Sequence, residues 1–319
     1  MKQAAESGTM SDLAILVKSY RGDLTIAERL LASVKTFNTD SIPVYVVVPQ
    51  ADVDLFVQID LPGMQIIAEE KFADHLVTEP FGGMTTGYIN QQIVKLTCWE
   101  RIEAHNFLIL DSDVEIIRPF TREDFLADDG CPYSVLVQDK ELLADRQYFE
   151  NQWKNRAEWH HVIAAEMHYS GPRPLPTCHG NTVLNSEVLK SLQADFMRPR
   201  GWNYGDLLAC SPYEFTWYSV WLQVCGVIPV RATEPWVKTF HTEEEHLLSL
   251  AKNQNLDDLK RAYVAICINS NFSRLKELPP ATQEKPDFLA RYLSYQEYLR
   301  VGLSKIRDTW SRRFGSSKS

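Results

Sequence analysis

Long apolar runs are absent from this chain of 319 residues, and none approaches the roughly 20 residues a helix needs to span a bilayer. An excess of positive charge is absent as well. With 33 Lys and Arg against 42 Asp and Glu, the formal net charge is −9. No basic stripe dominates, which excludes a general nucleic-acid binder. Cysteine is scarce and unpatterned. The 6 cysteines, at positions 98, 131, 178, 210, 225 and 267, form no C-x-x-C pair and follow no signal peptide. They read as reduced packing residues of a cytoplasmic protein. His160, His161 and His168 lack the H-E-x-x-H spacing of a zinc helix and are expected to be exposed on a helix.

What is present is enough apolar material, 45% of residues, for a large core. The pattern predicts disordered residues, or a start-site artefact, over 1–12, one α/β domain over 13–250, and a helical extension over 251–319 packed on it.

Residues 13–17 are a first buried strand running into Lys18, Ser19 and Tyr20. Asp23 then reads as the cap of a helix with Ile26, Leu30, Leu31, Val34 and Phe37 on one period. Residues 43–49 and 65–68 are two further strands, so residues 13–120 predict right-handed βαβ units and a mostly parallel sheet flanked by helices. A flexible glycine loop over 81–87 leads into a helix expected over 88–104. There Ile89, Ile93, Leu96 and Trp99 form the buried stripe, while Gln91 and Lys95 lie one turn apart on another face.

Residues 107–120 are the informative stretch. Four apolar residues, 107–110, predict a fully buried strand that delivers Asp111, Ser112 and Asp113 to the carboxyl edge of the sheet, where open α/β sheets bind ligands. On an extended chain Asp111 and Asp113 point the same way. Two hard carboxylates there suit Mg²⁺ or Mn²⁺, which prefer one or two protein oxygens plus substrate phosphate.

Further along, the sequence predicts a strand over 133–137, a polar helical stretch over 143–167 and a turn at His179, Gly180, Asn181 and Thr182. Residues 202–206 read as an aromatic loop, and Pro212 opens a helix whose first turn holds Glu214. A strand over 227–230 follows. Residues 236–240 lead to His241, with Thr242 and Glu245 as a capping box. Helices are expected over 256–270 and 286–314. The last, with Arg300, Lys305, Arg307, Arg312 and Arg313 beside an apolar face of Leu299, Leu303, Ile306, Trp310 and Phe314, would suit an anionic membrane surface or simple packing on its own domain.

In this order the features resemble the metal-dependent glycosyltransferases of the GT-A fold, and more narrowly a bacterial family of polysaccharide glycosyltransferases. The resemblance rests on residues 17–20, 87–96, 110–120 and 179–181, on Tyr213 with Glu214, and on His241. It implies a GT-A-like, Rossmann-type sheet and a nucleotide-sugar donor, a UDP-sugar favoured, with its base and ribose near Lys18, Ser19 and Tyr20. Gln91, Lys95, Ser112, Asn181 and Lys238 would be further donor contacts. It also implies Mn²⁺ or Mg²⁺ on Asp113 with Asp111 and His241, and Glu214 as the base of an inverting hexosyl transfer to a glycan acceptor. Phe215 departs from the family pattern, where an aspartate often follows the glutamate. Two other readings fit less of the chain. One is a haloacid-dehalogenase-like phosphatase with Asp111 as nucleophile, a motif that normally opens its domain. The other is a non-catalytic sugar-nucleotide or glycan-binding protein.

Overall fold

The computed structural model describes residues 10–144, 146, 149–178, 180–241, 245, 249 and 254–269. The expectations for residues 1–9, for the helix over 286–314 and for His179 and Thr242 fall outside these residues. The described residues divide into two units: those of 10–21, 38–111 and 120–235 form the first, and those of 22–37, 112–119 and 236–269 form the second.

The first unit is built on a sheet of five strands. Its members are β1 (Ser11–Lys18), β2 (Val44–Val48), β3 (Gln65–Ala68), β4 (Ala104–Leu110) and β7 (Val183–Asn185), in the order β3-β2-β1-β4-β7. Its first four strands run parallel and β7 runs antiparallel to β4. Residues 13–17 and 107–110 are at most 3% exposed, as expected of central parallel strands covered on both faces. β1 begins at Ser11, so residues 11 and 12, expected to be disordered, are ladder residues instead: Ser11 pairs with Ala104.

The helix before β4 is α3 (Thr86–Thr97). It starts two residues earlier than its apolar stripe suggests, because the Thr85 side chain accepts from the Tyr88 amide and caps it. It ends before residue 104, since Ala104 is taken into the ladder with β1. Ile89, Ile93 and Leu96 of α3 pack in one core with Phe107 and Ile109 of β4 and with Trp217 and Tyr218 of α8 (Glu214–Cys225).

Four expectations change in this unit. Residues 202–206 are not a loop: Asn203 caps α7 (Tyr204–Cys210) in a capping box with Asp206. The strand expected over 227–230 is β8 (Arg231–Thr233), parallel to β6 (Tyr133–Val135). Pro229 has no N–H to give a ladder, and pairing starts beyond it. Residues 143–167 are split into α4 (Lys140–Ala144), a π-helical turn and α5 (Lys154–Glu166). His160 of α5 is not exposed. It is 7% exposed, stacked between Trp153 and Tyr213, with Nδ1 at 2.8 Å from the Thr216 hydroxyl.

In the second unit α1 (Leu24–Phe37) accompanies a three-stranded sheet, β5-β10-β9, of β5 (Val114–Ile116), β9 (Val237–Phe240) and β10 (Ala265–Ile268). The helix expected over 256–270 stops early as α9 (Leu256–Lys260), and residues 265–268 form the central strand. A four-residue apolar run is ambiguous between helix and strand until its neighbours are known. Here both flanks offer strands. Ile26, Ile117, Phe240, Leu256, Leu259, Ile266 and Ile268 close the core. Among the described residues no helix is long and apolar enough to cross a membrane.

Candidate active site

The carboxyl edge of the five-stranded sheet collects most of the candidate residues. Lys18 ends β1, Asp111 follows β4, and Asn181 precedes the antiparallel β7, so all three lie at the same edge. Asn181 takes a left-handed backbone, φ 50°, which asparagine tolerates better than most residues. Its side-chain carbonyl accepts from the Asp111 amide at 2.9 Å. Asn181 thus holds the backbone of Asp111 in place.

Lys95 is the hub. Burial of its side chain to 5% would drive a lone ammonium neutral, but its Nζ donates to Asp111 Oδ1 at 2.8 Å and to Glu214 Oε1 at 3.0 Å. Burial lowers its pKa; attraction to Asp111 and then to Glu214 outweighs this and leaves the ammonium above the usual lysine range. The Phe215 ring lies 4.7 Å from Nζ and adds a cation–π contact. Glu214 occupies the first turn of α8, where the helix dipole favours an anion, and its amide donates to Gln92 Oε1 at 3.3 Å. Burial pushes its carboxyl above the ordinary value, Lys95 opposes without cancelling, and Asp111 adds to the rise. A buried acid with a raised pKa beside a fixed cation is suited to exchange a proton with a bound hydroxyl.

Lys18 reaches the edge paired with Glu69 at 3.5 Å, while its Nζ also donates to the Ser19 carbonyl at 3.0 Å. Burial lowers its pKa despite that partner. Ser19 is buried and Tyr20 is 45% exposed. Asp52, 2% exposed, accepts from the Arg21 amide at 2.7 Å and from its guanidinium. Gln91, half-buried, is not brought to Lys95's partners; its neighbour Gln92, 1% exposed, is.

Asp113 and His241 belong to the second unit. Residues 112 and 113 form a turn, so the period-two argument that aligned Asp113 with Asp111 does not hold; Ser112 itself is buried. Asp113 immediately precedes β5, and its carbonyl accepts from the Ile268 amide at 3.3 Å. His241 follows β9, and the Asn269 amide bonds Phe240 at 3.3 Å. The end of β10 therefore separates Asp113 from His241 along one edge, a spacing of about two strands or ~10 Å. Asp113 Oδ1 accepts from the Cys267 thiol at 3.4 Å. Lys238 and the His241 amide both bond Glu245, at 3.5 and 2.8 Å. Among the described residues no three His, Cys, Asp or Glu side chains gather closely enough to hold an ion by themselves.

Gly180 has a part that its turn position did not reveal: a Cβ there would lie 2.7 Å from Asp111 Oδ2. Gly180→Ala is expected to push that carboxylate off Lys95 and to lower turnover roughly tenfold, since small displacements of a positioned group cost this much or more. Thermal unfolding should stay near the parent, because the neighbour is a side-chain end. Unchanged turnover would show that Asp111 has room to move without consequence.

A family model, DUF6492, described as a family of unknown function, matches residues 12–258. A search of the curated proteins finds no match. Among solved structures the chain is similar to mouse xyloside xylosyltransferase 1 in its apo form, with 12% identity and a TM-score of 0.43, over 81% of this chain and 98% of that one. It is also similar to the galactosyltransferase LgtC in complex with donor and acceptor sugar analogues, with 13% identity and a TM-score of 0.42, over 91% and 95%. Both structures are glycosyltransferases by name; identities of 12% and 13% leave the chemistry to be argued from this chain's own residues. The family match spans most of the sequence, and the protein belongs to the DUF6492 family, a family of unknown function.

Proposed function

We propose that this protein is a metal-dependent glycosyltransferase of the GT-A type that moves a hexosyl group from a nucleotide-sugar, a UDP-sugar favoured, to a hydroxyl of a glycan. One juxtaposition carries the reading: at the carboxyl edge of a mostly parallel sheet, Lys95 holds both the Asp111 and the Glu214 carboxylates. The ordered set of motifs shared with that glycosyltransferase class supports it.

In this reading Glu214 is the base. With two carboxylates against one ammonium, the triad carries a net negative charge in a desolvated place. A proton arriving on Glu214 leaves a neutral Lys95–Asp111 pair, so proton transfer relieves charge rather than creating it. The acceptor oxygen attacks the anomeric carbon, its proton passes to Glu214, and the bond from that carbon to the diphosphate breaks, with inversion. Lys18 lies within electrostatic range of Lys95 at the same edge, and its ammonium, paired with Glu69, would oppose part of the charge of a diphosphate bound there.

The donor set fits a hard divalent ion in part: Asp113 brings oxygen and His241 nitrogen on one sheet edge, and a diphosphate would complete the shell. Bound there, Mn²⁺ or Mg²⁺ would neutralise charge on the departing diphosphate. Asp111, already held by Lys95, is the poorer ligand of the two aspartates. Asp113→Ala is therefore expected to abolish the gain in UDP-sugar affinity that Mn²⁺ brings, with folding retained, as read by calorimetric titration with and without the ion. Parent-like affinity with metal would remove Asp113 from the clamp.

On the sequence resemblance alone we place the reaction in bacterial surface polysaccharide synthesis on the cytoplasmic side; the cationic, amphipathic pattern of residues 286–314 would suit contact with the inner membrane face or packing on the domain. The deciding experiment for the activity is nucleotide release from a panel of UDP-sugars with Mn²⁺ and glycan acceptors. Phosphate release from monoesters without any nucleotide release would replace this reading with the phosphatase one. Donor binding without turnover would leave a binding protein.

A further inference from the structure

Glu214 has neighbours that the transfer step does not use. Tyr213, immediately before it, is half-buried, and its ring is held by stacking on His160 at 5.2 Å with planes 20° apart. His160 is fixed in turn by Trp153 at 5.4 Å and by the Thr216 hydroxyl at 2.8 Å. Such a clamp orders an aromatic side chain that simple packing would not need to order so fully. Arg156 lies one turn before His160 on α5, so the helix that stacks His160 on Tyr213 carries its guanidinium on the same face. Among the described residues no carboxylate forms an ion pair with Arg156. Tyr88, in the first turn of α3, is 43% exposed and feels the charges of Glu214, Lys95 and Arg156.

The arrangement is two tyrosines and an arginine around a buried carboxylate. With no carboxylate partner among the described residues, the fork of donors on Arg156 can take up an anion bidentately. A sugar ring can lie against a tyrosine face, and the hydroxyl to be glycosylated would then be next to Glu214.

We infer that Tyr88, Tyr213 and Arg156 form an acceptor subsite for an anionic sugar, one whose ring bears a carboxylate or a phosphate, with Arg156 as the specificity-determining residue. The inference rests on the reading of Glu214 as the base.

The test uses the full chain and three probes, methyl glucuronide, glucose 6-phosphate and methyl glucoside, with affinities from ligand-observed magnetic resonance. The parent is expected to bind at least one anionic probe roughly tenfold tighter than the neutral one, the scale of one charge-assisted contact. Whichever anionic probe shows the preference identifies carboxylate or phosphate as the group recognised. Arg156→Gln should erase the preference, Arg156→Lys should keep part of it, and both should bind UDP-sugar with Mn²⁺ as the parent does. Equal affinity for all three probes in the parent overturns the subsite, and so does a preference that survives Arg156→Gln. An Arg156-dependent preference in a protein that neither binds nor turns over any nucleotide-sugar keeps the subsite and removes the glycosyltransferase reading instead. If Arg156→Gln fails to fold, Arg156→Lys against the parent still decides, since an unchanged preference there sinks the bidentate contact.

Discussion

Glu214→Gln is expected to keep donor binding and to lose about 10²-fold to 10⁴-fold in sugar transfer, the range for removing a general base. The amide preserves shape and still accepts from Lys95, so the change isolates proton acceptance from packing. The pH dependence supplies a second readout. Glu214 must be ionised to accept a proton, and its pKa lies above the ordinary carboxylate value because of burial. The transfer rate should therefore rise with pH through that elevated value, and this acidic limb should vanish in the glutamine variant. Parent-like turnover in Glu214→Gln would move the base elsewhere, with Asp206 the next carboxylate to try; its side chain already serves the cap of α7.

Lys95→Met is expected to cost about 3–5 kcal/mol of stability, the usual scale for removing one partner of a buried charge pair. Two carboxylates then face each other near the sheet edge with no cation between them. The Asp111 side chain is 34% exposed, so water screens part of that repulsion and the lower end of the range is the better figure. The signs with pH are distinct. Lys95 has a raised pKa, so its stabilising contribution is complete below the ordinary lysine value and is lost only as pH climbs through the raised one. Glu214 also has a raised pKa, so its titration favours the folded state at acid pH and that advantage fades as pH rises through the raised value. The cost of Lys95→Met should accordingly be larger at a pH well above the raised Glu214 pKa than at a pH below it, where Glu214 takes up a proton and the repulsion falls. Denaturant unfolding of both proteins at the two pH values measures this. A penalty independent of pH would mean that the lost contacts of the lysine stem, rather than its charge, set the cost.

Local chemistry in the sequence determined the central strands and the carboxylate that follows them. Residues 13–17 and 107–110 are unbroken apolar runs, the pattern of a parallel strand covered on both faces, and each is followed by the polar residues of the sheet edge. Asp111 at the strand end and Glu214 at a helix start follow from rules that reach no more than a few residues. What tertiary structure alone decided is who meets whom. Lys95 and Glu214 are 119 residues apart, and nothing in a helical period tells whether residue 91, 92 or 95 will face the sheet edge. The same limit explains His160, which the pattern left in solvent and which three aromatic and hydroxyl partners from two elements enclose. Residues 265–268 became a strand because two others flank them. Gly180 gained its part the same way, since a close approach depends on neighbours that only a folded chain brings together.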